Sequence, residues 1–253
     1  KRVLKSSGTV WLNLGDSYSS FKDQSVKTQT LSGKSRDEPP KGKASNRNGA
    51  ALSKSGLKNK DLVGIPWMVA FALRADGWYL RSDIIWNKPN PMPESVKDRP
   101  TKSHEYIFLL TKSPTYYYDA DAIREDGPSY TRKAGGYEQH YKQGASRFGG
   151  KGGFGDSDVT TSGRNKRTVW EITTHPYPDA HFATFPEKLV EPCILAGSPL
   201  GGTVLDPFVG SGTTLAVAQR LGRKAIGTDI SSEYLELASK RLEKVALPML
   251  LGI

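Results

Sequence analysis

The stretch Val204-Leu-Asp-Pro-Phe-Val-Gly-Ser-Gly-Thr-Thr-Leu215, followed by Lys224-Ala-Ile-Gly-Thr-Asp-Ile230, decides how the rest of the chain is read. A short apolar run ends in an acid and a proline, a Gly-Ser-Gly turn follows, and Thr213-Thr214 opens an amphipathic segment over 215–221. That order predicts strand, tight turn and helix. Glycines let the backbone come close to a ligand, and a helix start offers unpaired N–H groups to a carboxylate or phosphate. A second strand over 224–228 delivers Asp229 at its carboxyl end. The spacing from 206 to 229 is near the roughly 20 residues at which doubly wound folds place the carboxylate that holds a ribose diol. The turn lacks the third glycine of a G-x-G-x-x-G dinucleotide loop and the lysine of a P-loop, which disfavours both of those nucleotide readings. An ordinary strand-to-helix loop is the plain alternative.

The chain has 253 residues, enough to bury a sizeable core in one domain with an appended or inserted segment. Its net charge of +10 points to a polyanionic partner, nucleic acid before an anionic membrane surface. No apolar run approaches the roughly 20 residues of a bilayer span, and the first residues lack the apolar core of a signal peptide, so a cytoplasmic location without a membrane is expected. A single cysteine, Cys193, excludes an intrachain disulfide and a cysteine-based zinc site, and no metal is expected. Within a helical pattern over 186–196 it reads as a small core residue.

In chain order, residues 2–5 read as the last turn of a helix, and residues 9–14 as a strand closing on Gly15-Asp16-Ser17-Tyr18. Residues 19–60 form a basic inserted loop; within 21–60 there are ten Lys or Arg against three Asp or Glu. Such a polar loop is either solvated padding or a flap that meets phosphates. Asp61 reads as the cap of a helix carrying Leu62, Ile65, Val69, Ala72 and Leu73. Strands over 78–86 and 106–110 then form an antiparallel hairpin. The prolines between them, in Asn87-Lys-Pro-Asn-Pro-Met-Pro-Glu-Ser, forbid helix and central strand and leave a stiff exposed loop. Lys88, Asn90, Lys97, Arg99 and Lys102 give that loop a DNA-contacting character.

Residues 113–169 are irregular, with tyrosines and phenylalanines set among glycines and bases; over 131–169 eight Lys or Arg face three acids. Aromatic rings among cations suit base stacking with phosphate contact, although a Gly-rich linker looks much the same. Arg132, Lys133, Arg147, Arg164, Lys166 and Arg167 are the expected DNA contacts there. Short strand 170–172, helix 186–196 and a last amphipathic helix over 233–247 complete the pattern.

Four separated stretches resemble successive motifs of the β-class DNA amino-methyltransferases: residues 9–18, 82–95 with 103–108, 181–189, and 206–214 with Asp229. The resemblance implies a Rossmann-like α/β fold with a mixed sheet, and S-adenosyl-L-methionine as cofactor. It divides the chain into a catalytic half (1–112), a target-recognition region (113–169) and a cofactor half (170–253). Carried across by position, Phe182, Thr184, Phe185 and Pro186 form one wall of the cofactor site. Asp206, Pro207, Phe208, Gly210, Ser211, Gly212 and Thr213 hold the methionine end, Asp229 accepts from the ribose hydroxyls, and Ile230 lies beside the adenine. The implied reaction is transfer of a methyl group to adenine N6 or cytosine N4 in duplex DNA, within a restriction-modification system that includes a cognate endonuclease.

One departure matters. The family's tetrapeptide of Asp, Ser or Asn followed by Pro-Pro and an aromatic is absent from the sequence, so no residue is assigned a catalytic role. His104 and Glu105 either shape the base pocket or serve the strand start alone. The resemblance therefore implies a sheet incomplete at its N-terminal side, filled by a complementing segment, with a homodimer as another arrangement. The alternative function is a catalytically inactive DNA-binding subunit.

Overall fold

Alternation along one strand organises the first half of the molecule. In β3 (His104–Thr111), Phe108 and Leu110 point to one face of the sheet and Ile107 to the other, all buried. A strand buried on both faces reads as a continuous apolar run, as Ile-Phe-Leu-Leu does here. The computed structural model describes residues 1–20, 56–127, 130–132, 159–161, 163–174 and 185–245. Within these, β3 lies between β1 (Thr9–Leu14) and β2 (Tyr79–Asn87), antiparallel to both, and β6 (Val169–Glu171) adds to β2 in parallel. The expected hairpin is present: Ile84 faces Ile107 and Trp86 faces Glu105, with a register shift between Leu80 and Ser82.

Helix α1 (Ile65–Ala75) covers one face, where Trp67, Ala70 and Leu73 pack on Phe108, Leu110, Val10 and Leu12. Fully burying a side chain such as Phe108 or Leu110 stabilises by about 1.5–3 kcal/mol. The other face carries Trp11, Ile84, Trp86, Ile107 and Trp170, closed by Leu189.

Leu189 belongs to α2 (Glu187–Gly197), the helix expected over 186–196, which serves two cores at once. Its Leu189 and Cys193 side packs on the four-stranded sheet. The adjacent side, Val190 and Ile194, packs with Val217 and Ala218 of α3 (Thr213–Arg220). Val204 of β7 (Thr203–Asp206) and Ala225 of β8 (Lys224–Gly227) close this second core, and Phe185 touches both. Spacings of four along α2 thus yield two adjacent stripes, one for each half of the protein. The last helix, α4 (Ser232–Glu243), begins on a Ser231 side chain that accepts from Tyr234 N.

The structure departs from three sequence expectations. Residues 2–4 form turns rather than a helical turn. The helix read from Asp61 starts at Ile65, because residues 17–19 and 60–63 are tied by main-chain bonds such as Val63 N to Ser17 O (2.9 Å), which keeps Leu62 extended. Residues 130–132 and 159–161 pair as a two-stranded antiparallel ladder, β4 (Tyr130–Arg132) with β5 (Val159–Thr161), inside the region read as irregular. Among the described residues β7 and β8 form a parallel pair of their own, with no ladder to the four-stranded sheet.

The start of α1 has an unexpected acceptor. No side chain from its own flank caps it; instead Asp16 Oδ1 accepts from Gly64 N (2.9 Å) and Ile65 N (3.0 Å). A carboxylate at a helix N-terminus satisfies orphan amides and complements the helix dipole. Asp16→Ala is expected to destabilise the protein by about 1–2 kcal/mol, the usual cost of a lost cap, with the largest rise in hydrogen exchange at the first turn of α1; an unchanged denaturation midpoint would count against this role.

Candidate functional site

The loop leaving β7 is stitched to the chain leaving β8. Thr228 N donates to Asp206 O (3.0 Å), Val209 N to Thr228 O (3.0 Å), and the Thr228 hydroxyl to Pro207 O (3.0 Å). Asp206 Oδ1 accepts from Phe208 N (3.0 Å), an Asx turn that bends the chain immediately after the strand. Asp229 completes the join: Oδ2 accepts from Gly210 N (2.9 Å) and Oδ1 from Ser231 N (3.0 Å). These backbone donors, Ser231 first and then Gly210, hold its carboxyl below the usual carboxylate range. Each oxygen takes one such bond, and an ionised carboxylate has about four lone-pair sites, so capacity for further donors remains.

Gly212 shows why the turn needs glycine. Its φ is 82°, and a Cβ there would lie 2.9 Å from Ala238 Cβ and 3.0 Å from Ala238 Cα. The loop can therefore lie flush on α4 only without a side chain at this position. At Gly210, by contrast, a Cβ would meet nothing within 4 Å, so the bend opens onto free space. No side chain caps α3, whose first-turn amides follow directly from this bend.

The two lips of the opening are apolar and exposed: Phe208 is 87% accessible, and Ile230 is fully so. Exposed large apolar groups flanking a carboxylate suit a ligand that joins a flat base to a hydroxylated sugar. An adenosine with a charged amino-acid tail fits this donor set.

The remaining cofactor residues of the sequence reading are distributed as follows. Asp206, Pro207, Phe208, Gly210, Asp229 and Ile230 lie on the bonded loops that leave β7 and β8. Ser211 and Thr213 are buried, and the Thr213 hydroxyl accepts from Arg241 Nη1 (2.9 Å). Pro186 is buried at the start of α2, and Phe185 is half-buried between the two cores. Phe182 and Thr184 lie outside the described residues, as do Lys133, Arg147, nearly all of the inserted loop, and the side chain of Arg132.

The basic residues are more occupied than counting charges implies. Lys88 pairs with Glu105 and lies 4.2 Å from the centre of the Trp86 ring. Arg99 pairs with Glu94 (2.6 Å) and stacks over Tyr18 (3.8 Å), while Lys102 Nζ donates to Asp16 O (2.7 Å). Arg164 and Arg167 share Glu125, at 3.1 and 2.9 Å. Despite partial desolvation, which opposes it, the carboxyl of Glu125 is held low by these arginines. Lys166 lies over the Trp170 ring at 5.1 Å. The Asn90 side chain bonds the main chain of Thr174 in both directions. Lys97 alone of this set is exposed and without a polar contact among the described residues.

Glu105 also accepts from Asn13 Nδ2 (3.1 Å), so the ends of β1, β2 and β3 meet in a small polar cluster of Asn13, Lys88 and Glu105. Sequence reasoning gave Asn13 and Asp16 no role; their partners are 92 and 48 residues away along the chain, beyond any local pattern. Cys193 donates to Leu189 O (3.3 Å), and burial pushes its thiol pKa up, so it is a packing residue rather than a thiolate nucleophile.

The sequence profile of the DNA methylase family matches residues 1–240. The chain is 46% identical over 243 residues to the Type II methyltransferase M.SmaI of Serratia marcescens, covering 96% of this chain and 70% of that protein. It is also 46% identical over 247 residues to the Type II methyltransferase M.Cfr9I of Citrobacter freundii, covering 96% and 67%. Among solved structures, a Thermus thermophilus protein complexed with S-adenosyl-L-methionine superposes with a TM-score of 0.54 at 21% identity, covering 98% of this chain and 73% of that one.

Proposed function

Because the chain belongs to the DNA methylase family, we propose that it uses S-adenosyl-L-methionine to methylate the exocyclic amine of adenine (N6) or cytosine (N4) at a specific duplex DNA site. The observation that carries this is the joined pair of strand ends: a glycine bend open to free space, the Asp229 carboxylate beside it, and exposed Phe208 and Ile230 at its lips.

In this reading Asp229 accepts from the ribose hydroxyls and Ile230 packs beside the adenine. Phe185 and Pro186, at the entry to α2, contribute to one wall of the cofactor site. The loop over 206–213 holds the methionine end, with backbone amides turned to its carboxylate. The bound cofactor supplies an electrophilic methyl on a sulfonium. The protein's part is to hold donor and acceptor in line and to exclude water. A base must leave the duplex stack to reach such a pocket.

The Pro-rich loop and the region over 113–169 supply the DNA surface, the latter as the target-recognition region between the catalytic half (1–112) and the cofactor half (170–253). Lys97 is the clearest phosphate contact, since its charge is unpaired by a described neighbour. Lys97→Ala is expected to weaken binding uniformly across duplex sequences and to reduce the slope of log affinity against log salt by about 1; an unchanged slope would remove Lys97 from the interface.

A further part of this reading concerns completeness. The four-stranded sheet ends at β1, and β7 pairs only with β8 among the described residues, while Leu205 and Ile226 stay half exposed on the same strand pair. Open edges and an uncovered apolar face favour a complementing strand, whether from the same chain or another, and that strand would bring the catalytic tetrapeptide. The relatives named Type II methyltransferases support a place in a restriction-modification system beside an endonuclease.

The test is S-adenosyl-L-methionine binding followed by transfer of labelled methyl to duplex DNA, with digestion to nucleosides to identify the base. Binding with transfer is expected when the complementing segment is present. Binding of both ligands without transfer in any setting would favour an inactive DNA-binding subunit, and no cofactor binding would overturn the reading.

A further inference from the structure

One face of the four-stranded sheet changes character at its end. Side chains two apart share a face of a strand, so Trp11 and Asn13 of β1, Ile107 and Glu105 of β3, and Ile84, Trp86 and the following Lys88 lie on the face that α2 covers. In each row the outermost of these residues is polar and the others are apolar. Lys88 N donates to Ser103 O (2.8 Å), which extends the ladder to this residue, and its ammonium lies 4.2 Å from the centre of the Trp86 ring. Half-buried polar groups on an apolar face need partners. Glu105 supplies them: Oε1 accepts from Lys88 Nζ, and Oε2 from Asn13 Nδ2 (3.1 Å).

The trio lies at the same end of α2 as the glycine bend. Thr9 Oγ1, at the start of β1, donates to Gly197 O (3.2 Å), and Arg223 Nη2, just before β8, donates to Ser198 O (2.7 Å). Gly202 N, just before β7, donates to Pro199 O (2.9 Å). The starts of β1, β7 and β8 therefore gather at the C-terminal end of α2, and their ends lie toward its N-terminus. Phe185, beside that N-terminus, packs on both cores. One helix thus sets the trio and the loops leaving β7 and β8 on a common side.

Two groups of the trio have capacity left. Asn13 Nδ2 donates to Glu105 Oε2 and to Tyr106 O (both 3.1 Å); since both partners are acceptors, the amide nitrogen faces them and Oδ1 faces away. Oδ1 has no partner among the described residues, where no side-chain N or O is buried unpaired, so it is open to a ligand. Lys88 Nζ carries three N–H groups and gives one to Glu105. A free acceptor beside a cationic donor matches the edge that adenine and cytosine share, an exocyclic amine next to a bare ring nitrogen. Guanine and thymine present a carbonyl next to a ring N–H, the reverse pattern. We propose that Asn13 and Lys88 read the edge of the flipped target base, Asn13 Oδ1 accepting from its amine and Lys88 Nζ donating to the adjacent ring nitrogen, with Glu105 as the positioning residue that holds both. The inference rests on the function proposed above and deepens it: Lys88 moves from a phosphate contact to a base contact, and amine-bearing bases are selected over oxo-bearing ones.

The experiment first measures S-adenosyl-L-methionine binding to the full chain by calorimetry. The four deoxynucleosides are then titrated into the cofactor-saturated chain and followed by NMR at the Gly15 and Glu105 main-chain amides. Deoxyadenosine or deoxycytidine is expected to bind about 10-fold more tightly than thymidine and deoxyguanosine, within the discrimination of one good bidentate pair. Asn13→Ala and Lys88→Met, the second keeping an apolar stem on Trp86, should each erase that preference while cofactor affinity stays within about 2-fold, as for separate sites. Melting curves verify folding, and either variant alone suffices. Glu105→Gln, which can still accept from Lys88, should keep part of the preference and Glu105→Ala none; full preference in Glu105→Ala would remove its positioning role. No preference in wild type, or one that survives in Asn13→Ala or Lys88→Met, would overturn the inference and leave the function reading intact. Failure of the wild-type chain to bind cofactor at all would instead remove the function reading, and this inference with it.

Discussion

Asp229→Ala is expected to weaken S-adenosyl-L-methionine binding by about 100-fold or more, since in the proposed site two ribose hydroxyls would lose a charged acceptor together. The same change releases Gly210 N and Ser231 N, so the loop over 206–212 and the end of β8 lose their shared carboxylate. Asp229→Asn keeps one acceptor oxygen and should fall between, near 10-fold. Calorimetric titration of the three proteins checks the series; equal affinities would remove Asp229 from the cofactor site. The pH dependence follows from the direction of its shift. A carboxyl held below its ordinary value of about 3.9 contributes at neutral pH, and the contribution is lost only as pH falls through the lower folded value. Cofactor affinity should therefore be level between about pH 5 and 8 as far as this group is concerned.

Gly212→Val is expected to have the largest effect on folding. A β-branched residue at φ 82° is strained by about 1–2 kcal/mol, and its side chain would start 2.9 Å from Ala238 Cβ and 3.0 Å from its Cα. Helix backbone gives little, so overpacking adds about 1–3 kcal/mol. The total, about 2–5 kcal/mol, corresponds to a fall of roughly 4–20 °C in melting temperature for a chain of this size. Gly210→Ala is the contrasting change: its Cβ would meet nothing within 4 Å, so only backbone strain at φ 49° remains, and about 1 kcal/mol is expected. Thermal melts of the two variants separate close packing from simple conformational preference. Similar losses in both would contradict the contact with α4.

The region from β7 to α4 was legible because its signals are local. Apolar runs, a glycine turn and helical periodicity lie within 30 residues of one another, and the strand, bend and helix fall where they were read, with Asp229 beside Gly210. The hairpin of β2 and β3 was legible for the same reason, since prolines in the connection leave few alternatives. What escaped the sequence depends on distant partners. The start of α1 is set by Asp16, brought in by the short ladder of residues 17–19 with 60–63, so the nearer acid, Asp61, was mistaken for the cap. Charge counting also treated bases as free, whereas Glu94, Glu105 and Glu125 each hold one or two of them. Asn90 illustrates the same dependence: its type and exposed loop suited DNA contact, and its amide also bonds the main chain of Thr174, 84 residues away. The separation of β7 and β8 from the four-stranded sheet had one precursor in the sequence, the missing tetrapeptide segment implied by the family resemblance.

The most direct measurement of the central claim is hydrogen exchange by mass spectrometry with and without S-adenosyl-L-methionine. Ligand held between the glycine bend and the Asp229 carboxylate should protect peptides spanning 206–214 and 228–233 together, with β1 to β3 unchanged. Cofactor binding that leaves both peptides at their free exchange rates, or protects a different surface, would contradict the account.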